Sequence, residues 1–243
     1  MSAIYPSLAG KRVLITGGAS GIGADLVRAF VGQKSHVTFL DINDAEAAKA
    51  PAEAIYRHVD LTDIAALRTA IDELGPFGVL VNNAARDDRH DMASVEPDYW
   101  HKALAVNLDH QFFATQRVAP AMAANGGGVV IFTSSVSWKR ARPGMVAYTT
   151  SKAAIAGLTR TMARELGPQG IRVNCIVPGP IRTERQAKLW RSPEADAEFL
   201  RLQALKFHLD GTHVARAALF LASDESSGMT GTEIIVDGGV TLN

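Results

Sequence analysis

The sequence predicts an α/β protein in which a doubly wound, seven-stranded parallel sheet carries helices on both faces within a single domain. Two observations support this fold class. Short runs rich in β-branched residues alternate along the chain with longer stretches of helical period, and most of the short runs are apolar throughout. A strand that is apolar on both sides suits a sheet that is covered by helices on both faces.

Each element follows from this alternation. Strands are predicted over 12–16, 36–40, 54–59, 78–82, 128–133, 171–177 and 232–236. Helices are predicted over 21–32, 62–74, 98–124, 150–166 and 212–222, with a variable stretch within 183–206. Thr62 and Thr212 precede two of these helices and are predicted to be their N-caps.

One domain is expected over residues 1–243, because no repeat, low-complexity tract or Pro/Ser-rich linker divides the chain. The segment 182–208 departs from the regular alternation and is polar and charged, with scattered large apolar residues. Such a segment is typical of a mobile cover, and we expect a variable substrate lid there.

Composition narrows the classes of function. The chain has 243 residues, and its 25 Lys and Arg residues balance its 25 Asp and Glu residues. This zero formal charge argues against nucleic acid as a partner, and the apolar runs are far shorter than a membrane span. The single cysteine, Cys175, and an N-terminus without the apolar region of a secretory signal lead us to expect a cytoplasmic protein.

A glycine-rich turn follows the first strand. Gly17, Gly21 and Gly23 lie in the run TGGASGIG, directly before a helical pattern. Glycines there give a tight turn and a close backbone approach to a pyrophosphate, which the helix N-terminus can bind through its N–H groups. A plain structural turn is the alternative, but the strand before the run and the helix after it favour a dinucleotide site.

Asp41 ends the second predicted strand, 18 residues after Gly23. An acidic side chain at about this offset accepts hydrogen bonds from the adenosine ribose and repels a 2′-phosphate. Neither the glycine run nor the two residues after Asp41 contain Lys or Arg, the usual partners of that phosphate. The sequence therefore predicts NAD as cofactor rather than NADP, although a solvated Asp at a strand end would look the same.

Tyr148 and Lys152 are four residues apart at the start of a predicted helix, so their side chains share one face. A nearby ammonium and the positive nicotinamide of an oxidised cofactor both favour the phenolate. Bringing the pKa of a phenol from about 10 to near 7 requires roughly 4 kcal/mol. Ser135 lies 13 residues earlier, at the carboxyl end of the fifth strand, where open α/β sheets bind ligands.

Taken in order, these motifs resemble the short-chain dehydrogenases/reductases, an oxidoreductase family with a Rossmann-like sheet, from about Leu8 to Gly239. The resemblance rests on TGGASGIG (16–23), HVDLT (58–62), NNAA (82–85), AVNLDH (105–110), TSSVS (133–137), YTTSK (148–152), PGPIRT (178–183) and VDGG (236–239). One departure is Ala85, which stands where the family has Gly and which we expect to be tolerated.

The resemblance implies a role for each matched residue. Tyr148 would be the base in oxidation and the acid in reduction, and Ser135 would orient the reacting oxygen. Lys152 would lower the pKa of Tyr148 and hold the nicotinamide ribose, while Asn107 would anchor a proton-relaying water. Besides Tyr148 and Lys152, the implied cofactor-binding residues are Gly17, Ser20, Gly21, Ile22, Gly23, Asp41, Asp60, Leu61, Asn83, Ala84, Pro178, Ile181 and Thr183.

The residues just past the catalytic strands should frame the substrate. Polar side chains dominate there, together with one aromatic face, which suits a sugar better than a steroid or a long acyl chain. The set is Asp87, Asp88, Arg89, His90, Ser137, Trp138, Arg140 and Arg142, with Gln186 added from the ERQ run. These runs resemble the aldose 1-dehydrogenases of the family, which oxidise sugars such as xylose, arabinose or galactose to the aldonolactone.

Three alternatives remain open at this point. The run DDRH could be a solvated loop, the enzyme could be a 3-oxoacyl-carrier-protein reductase, or the chain could be a cofactor-binding regulator without turnover. No metal is expected, because His101 and His110 do not form a ligand set. A homotetramer is expected only from the resemblance.

Overall fold

The computed structural model describes residues 3–184 and 192–242, and they form one α/β domain around a single sheet. The strands are β1 Arg12–Thr16, β2 His36–Asp41, β3 Ile55–His58, β4 Val79–Asn82, β5 Gly128–Thr133, β6 Ile171–Pro178 and β7 Glu233–Val236. Their spatial order is β3-β2-β1-β4-β5-β6-β7, and every neighbouring pair is parallel. The predicted fold class is confirmed.

The helices between the strands are α1 Gly21–Gly32, α2 Asp44–Ala47, α3 Ile64–Leu74, α4 Pro97–Leu104, α5 His110–Ala124, α6 Val136–Lys139, α7 Val146–Leu166, α8 Pro193–Leu202 and α9 Gly211–Ala222. The short helices α2 and α6 were not predicted. The stretch predicted as one helix over 98–124 is interrupted by a π-helical turn at Ala105–Asp109, between α4 and α5.

Both predicted N-caps are wrong by one or two residues. Asp63 caps α3 by accepting a hydrogen bond from the Ala66 amide at 2.9 Å, and Asp210 caps α9 by accepting one from the Thr212 amide at 3.0 Å. Thr62 instead donates to Asp60 at 2.8 Å. In each case an aspartate one or two residues from the threonine takes the position, because both residue types cap well and the sequence does not rank them.

Two hydrophobic cores lie on opposite faces of the sheet. Helices α1 and α9 cover one face through residues such as Leu26, Phe30 and Leu219. Helices α3, α5 and α7 cover the other face, with Leu67, Met122 and Ile155 among the buried side chains. Because helices bury both faces, the central strands are apolar throughout, as the sequence pattern predicted.

The direction in which successive strands are added to the sheet reverses at its centre, between β1 and β4. Strands β1, β2 and β3 extend to one side, and β4 starts the sequence of strands on the other side. In open α/β sheets the crevice at the carboxyl ends of the strands flanking such a switch point is where ligands bind. Among the described residues, no helix is long and apolar enough to cross a membrane.

Candidate active site

The turn after β1 packs so closely against its neighbours that several of its positions require glycine. Gly17 has φ +69°, and a Cβ there would lie 2.6 Å from the Ala84 Cα. A Cβ on Gly23 would lie 1.8 Å from the Gly17 carbonyl oxygen, so only glycine allows α1 to start this close to the turn. Gly21, with φ +54°, opens the helix. Gly17 therefore has the tight turn, and Gly23 the close helix packing, that the sequence predicted, while the approach of a pyrophosphate at Gly21 stays a prediction.

The N-terminus of α1 can bind an anion. Its N-cap, Ser20, makes no side-chain capping hydrogen bond, and its first turn contains no acidic residue. The first amides of the helix are thus not neutralised by the chain's own carboxylates, and the helix dipole adds positive potential. Ser20, Gly21 and Thr183 line one groove at this end, and these residues fit the pyrophosphate of a dinucleotide.

Asn83 and Thr16 fasten this turn to β4. The Asn83 side-chain Nδ2 donates to the carbonyl oxygens of Thr16 and Gly17, at 3.2 and 3.0 Å. The Thr16 hydroxyl oxygen in turn accepts from the Asn83 amide at 3.0 Å and lies 3.4 Å from Nε2 of the buried His110. Burial lowers the pKa of His110 to about 3, so it is a neutral support behind the turn. The sequence indicated neither Thr16 nor His110 as part of the site.

Asp41 lies at the end of β2, beside the glycine turn. Its Oδ2 accepts from the Ala19 amide at 2.9 Å, and its Oδ1 accepts from the amides of Ile42 and Asn43 at 2.8 and 3.0 Å. The carboxylate is therefore held against the glycine turn at the end of β2. Each carboxylate oxygen can accept more than one hydrogen bond, so the position leaves capacity for a ribose hydroxyl.

Three further predicted cofactor residues follow β3 and β4. Asp60 is exposed and accepts from the amide and hydroxyl of Thr62, while Leu61 is buried in the core. Ala84 is also buried, against Gly17. Leu61 and Ala84 can therefore shape the predicted cofactor site through packing and through their backbone groups.

Ser135, Tyr148 and Lys152 meet in one cleft at the carboxyl end of the sheet. Ile22, Asn83, Pro178 and Ile181 line the same cleft, which joins the predicted cofactor side to the predicted reacting groups. Ser135 follows β5, caps α6 through its contact with the Ser137 amide at 3.1 Å, and hydrogen-bonds Tyr148.

Lys152 is nearly fully buried one turn along α7 from Tyr148. Its Nζ donates to the Thr133 carbonyl oxygen at 2.7 Å and lies 5.6 Å from the centroid of the Tyr148 ring. Burial lowers the pKa of Lys152 to about 8. An ammonium with this pKa is still largely protonated at neutral pH.

The Tyr148 pKa differs from the simple sequence argument. Burial raises it to about 12, and the hydrogen bond with Ser135 and the charge of Arg89 only partly oppose this effect. The chain's own cations therefore do not lower the pKa of the phenol to near 7, because desolvation of the phenolate outweighs their effect.

Asn107 is buried in the π-helical turn between α4 and α5. Its Oδ1 accepts from the Arg86 amide at 2.9 Å, and its Nδ2 donates to the carbonyl oxygens of Arg86 and Ala103. Its own carbonyl oxygen accepts from Gln111 at 2.9 Å. The side chain thus fixes the segment that follows β4. The π-helical turn is typical of functional positions in helices.

The predicted substrate wall is only partly assembled. Asp87, Arg89, Ser137, Arg140 and Arg142 line the cleft with Ser135 and Tyr148. Met145 and Phe199, which the sequence did not single out, also line it.

Asp88 and Trp138 are not among the described residues that line this cleft, and a substrate contact for either stays a prediction. Asp88 pairs with Arg86 at 3.0 Å, since alternate side chains of an extended segment point in opposite directions. The Trp138 indole donates to the Ser134 hydroxyl and faces a separate depression lined by Ala156 and Arg160.

Three remaining predictions concern residues near the wall. His90 lies next to Asp88 and bonds Tyr99 through Nδ1 at 2.8 Å. Gln186 lies outside the described residues. Ala85 is not one of the described non-glycine residues with positive φ, which are Lys34 and Ala141, so alanine fits there without backbone strain.

Comparisons with known proteins agree with this geometry. A family model described as enoyl-(acyl carrier protein) reductase matches residues 17–241. D-xylose 1-dehydrogenase of Caulobacter vibrioides is 49% identical over 98% of each chain, and a probable galactose dehydrogenase of Rhizobium meliloti is 45% identical over 98% of each chain. The solved aldohexose dehydrogenase of Thermoplasma acidophilum superposes with a TM-score of 0.90 at 29% identity, covering 98% of this chain and 97% of its own.

The fold and these matches define an oxidoreductase that acts on CH–OH groups with a nicotinamide cofactor. The chain belongs to the short-chain dehydrogenase/reductase family.

Proposed function

We propose that this protein is an NAD-dependent dehydrogenase that oxidises an aldose at C1 to the aldonolactone. The observation that carries the proposal is the convergence of Ser135, Tyr148 and Lys152 in one cleft beside the glycine turn. The names of the relatives support the sugar substrate, because xylose, galactose and aldohexose dehydrogenases all share this fold and much of this sequence.

Tyr148 is the proposed acid–base residue. In the oxidation, the hydroxyl proton at C1 passes to the Tyr148 phenolate as the C1–H bond gives up its electron pair, and the lactone carbonyl remains. The hydroxyl of Ser135 holds the reacting oxygen next to the phenol, and its hydrogen bond to Tyr148 keeps the two groups in register. Tyr148 is the proton donor in the reverse direction.

Lys152 supplies positive charge and a fixed geometry. Its hydrogen bond to the Thr133 carbonyl holds the ammonium beneath the phenol, where it favours the phenolate. Bound NAD⁺ would supply the hydride acceptor and a further positive charge at the site. This charge would oppose the burial that raises the pKa of Tyr148 to about 12.

NAD is the proposed cofactor because of Asp41. Its carboxylate is held against the Ala19 amide at the end of β2, where it would repel a 2′-phosphate and accept from a free ribose hydroxyl. Asn107 is proposed to position the segment after β4 and the proton path near Lys152. Cofactor contacts of Gly17, Ile22, Asn83, Pro178, Ile181 and Thr183, a lid over 182–208, a homotetramer and a cytoplasmic location stay predictions.

The experiment is a direct assay of NADH or NADPH absorbance with the wild-type protein and with Tyr148→Phe. Pentoses, hexoses and 6-deoxyhexoses are offered with NAD⁺ or NADP⁺, and an acetoacetyl thioester is offered with NADPH. NADH formation from an aldose, reduced about 100- to 10,000-fold in Tyr148→Phe, is the expected result. Activity with the thioester alone would instead identify an acyl reductase, and equal activity of the variant would remove Tyr148 from the acid–base role.

A further inference from the structure

Three arginines line the cleft that contains the reacting residues. Arg89 comes from the segment that follows β4, and Arg140 and Arg142 come from the loop between α6 and α7. All three are partly buried. They lie on two different loops, so their meeting at one place is a property of the fold and not of a local charge run.

The described lining of the cleft is rich in positive charge, with three arginines. Asp87 is the one carboxylate among the described residues that line this cleft. Within the described residues, Arg140 and Arg142 form no ion pair through their guanidinium groups. Burial and the neighbouring charges of Arg89 and Arg140 lower the pKa of Arg142, although Glu198 and Asp87 oppose this.

The loop that carries Arg140 and Arg142 contains a strained backbone conformation. Ala141, between Arg140 and Arg142, has φ +47°, a left-handed conformation that alanine rarely adopts. The guanidinium of Arg142 lies over the Phe199 ring, 5.3 Å from its centroid. Strained residues and grouped like charges cluster at binding sites, where a ligand compensates for their cost.

The phosphates of the cofactor do not account for these arginines. The groove beside the glycine turn is lined by Ser20, Gly21 and Thr183, and none of the three arginines is among its described lining residues. The arginines instead share their cleft with Ser135 and Tyr148, where the substrate reacts. A group of guanidiniums on the substrate side of the cleft favours a substrate that carries an anionic group.

We propose that the substrate carries an anionic group, a carboxylate or a phosphate, which Arg89, Arg140 and Arg142 bind, so that the enzyme prefers acidic sugars to neutral ones. This inference rests on the proposed function, because it takes the cleft beside Tyr148 as the sugar site. A guanidinium suits either anion, because its planar donors form paired hydrogen bonds to two oxygens.

Matched sugar pairs test the inference. D-Galactose and D-glucose are compared with D-galacturonate, D-glucuronate and the corresponding 6-phosphates, which keep the same anomeric carbon. We expect the kcat/KM of an acidic sugar to exceed that of its neutral partner at least about 10-fold. Arg140→Gln and Arg142→Gln should each lower the ratio of acidic to neutral kcat/KM by roughly 10- to 100-fold, the usual effect of losing a hydrogen bond to a charged group.

Lys139→Gln is the matched control. It removes one positive charge from α6, but Lys139 pairs with Glu233 at 2.9 Å and is not among the described residues of the cleft. It should keep the wild-type ratio. A uniform fall in the ratio across all three variants would mean that long-range charge, and not the cleft arginines, favours the acid.

The outcomes separate this inference from the proposed function. Preference for the uronates identifies a carboxylate, and preference for the 6-phosphates identifies a phosphate. A preference for neutral sugars that the arginine variants leave unchanged would overturn the inference while the proposed function stands.

If no aldose is oxidised, the proposed function fails, and binding of galacturonate and galactose to the protein–NADH complex is measured by calorimetry. Tighter binding of galacturonate, weakened by Arg142→Gln, would then still support the anion site. Equal binding, or no binding of either acid at millimolar concentration, would overturn it.

Discussion

Replacing Lys152 with methionine should stabilise the protein at neutral pH although it removes a proposed catalytic group. Burial lowers the pKa of Lys152 from its ordinary value of 10.5 to about 8. Below pH 8 the ammonium is charged in both the folded and unfolded states. Because its pKa is lower in the folded state, keeping it charged there costs the folded state about 3 kcal/mol. Loss of the hydrogen bond to the Thr133 carbonyl costs the variant about 1 kcal/mol in return.

The sign of the pH dependence follows from the lowered pKa. Between pH 8 and 10.5 the unfolded state binds the proton and the folded state does not, so the stability of the wild-type protein rises with pH. Lys152→Met lacks this group. Its advantage should be about 2 kcal/mol at pH 7 and should disappear, and then reverse slightly, as the pH approaches 10.5.

Urea unfolding followed by tryptophan fluorescence at a fixed protein concentration measures both quantities. Lys11→Met, which removes an exposed ammonium, is the control for the loss of one charge. The reasoning that burial of the ammonium costs free energy would be refuted by a variant that is less stable than wild type at pH 7. A difference in unfolding free energy that does not change between pH 7 and 10.5 would refute it as well.

Two further predictions concern the cofactor edge and a helix cap. Asp41→Asn should lower the ratio of kcat/KM for NAD⁺ to that for NADP⁺ about 10-fold or more, because a carboxylate no longer faces the 2′-position; an unchanged ratio would remove Asp41 from the ribose site. Asp63→Ala should cost about 1 kcal/mol of unfolding free energy, since Asp63 caps α3, and Thr62→Ala should cost less. Equal losses in the two variants would show that the cap is shared.

The central strands were the most predictable part of the fold. The structure gives β1 and β5 at the predicted bounds, because both are buried on two faces and their apolar runs have clear ends. The edge strands β3 and β7 are shorter than predicted, since β3 is largely exposed, β7 is only partly buried, and the apolar signal at the sheet margins is weaker. The π-helical turn that holds Asn107 has no distinct periodicity and could not be read from the pattern.

The candidate site also contains some residues that the sequence could predict and others that it could not. Ser135, Tyr148 and Lys152 could be selected because their spacing on one helix and one strand end fixes their meeting point. The directions of side chains in loops could not be predicted from the sequence. Arg89 faces the cleft while Asp88 faces away from it, and Ala141 takes a positive φ that no sequence pattern indicated. Likewise the raised pKa of Tyr148 depends on burial, which spacing does not report.

The fate of deuterium tests the central claim most directly. Galactose and galacturonate deuterated at C1 are incubated with the protein and NAD⁺, and both products are examined by mass spectrometry. The account predicts that the deuterium appears in the reduced dinucleotide and that the sugar product is a lactone without it. Reduced dinucleotide without deuterium, or deuterium retained in an oxidised sugar, would contradict hydride transfer from the anomeric carbon.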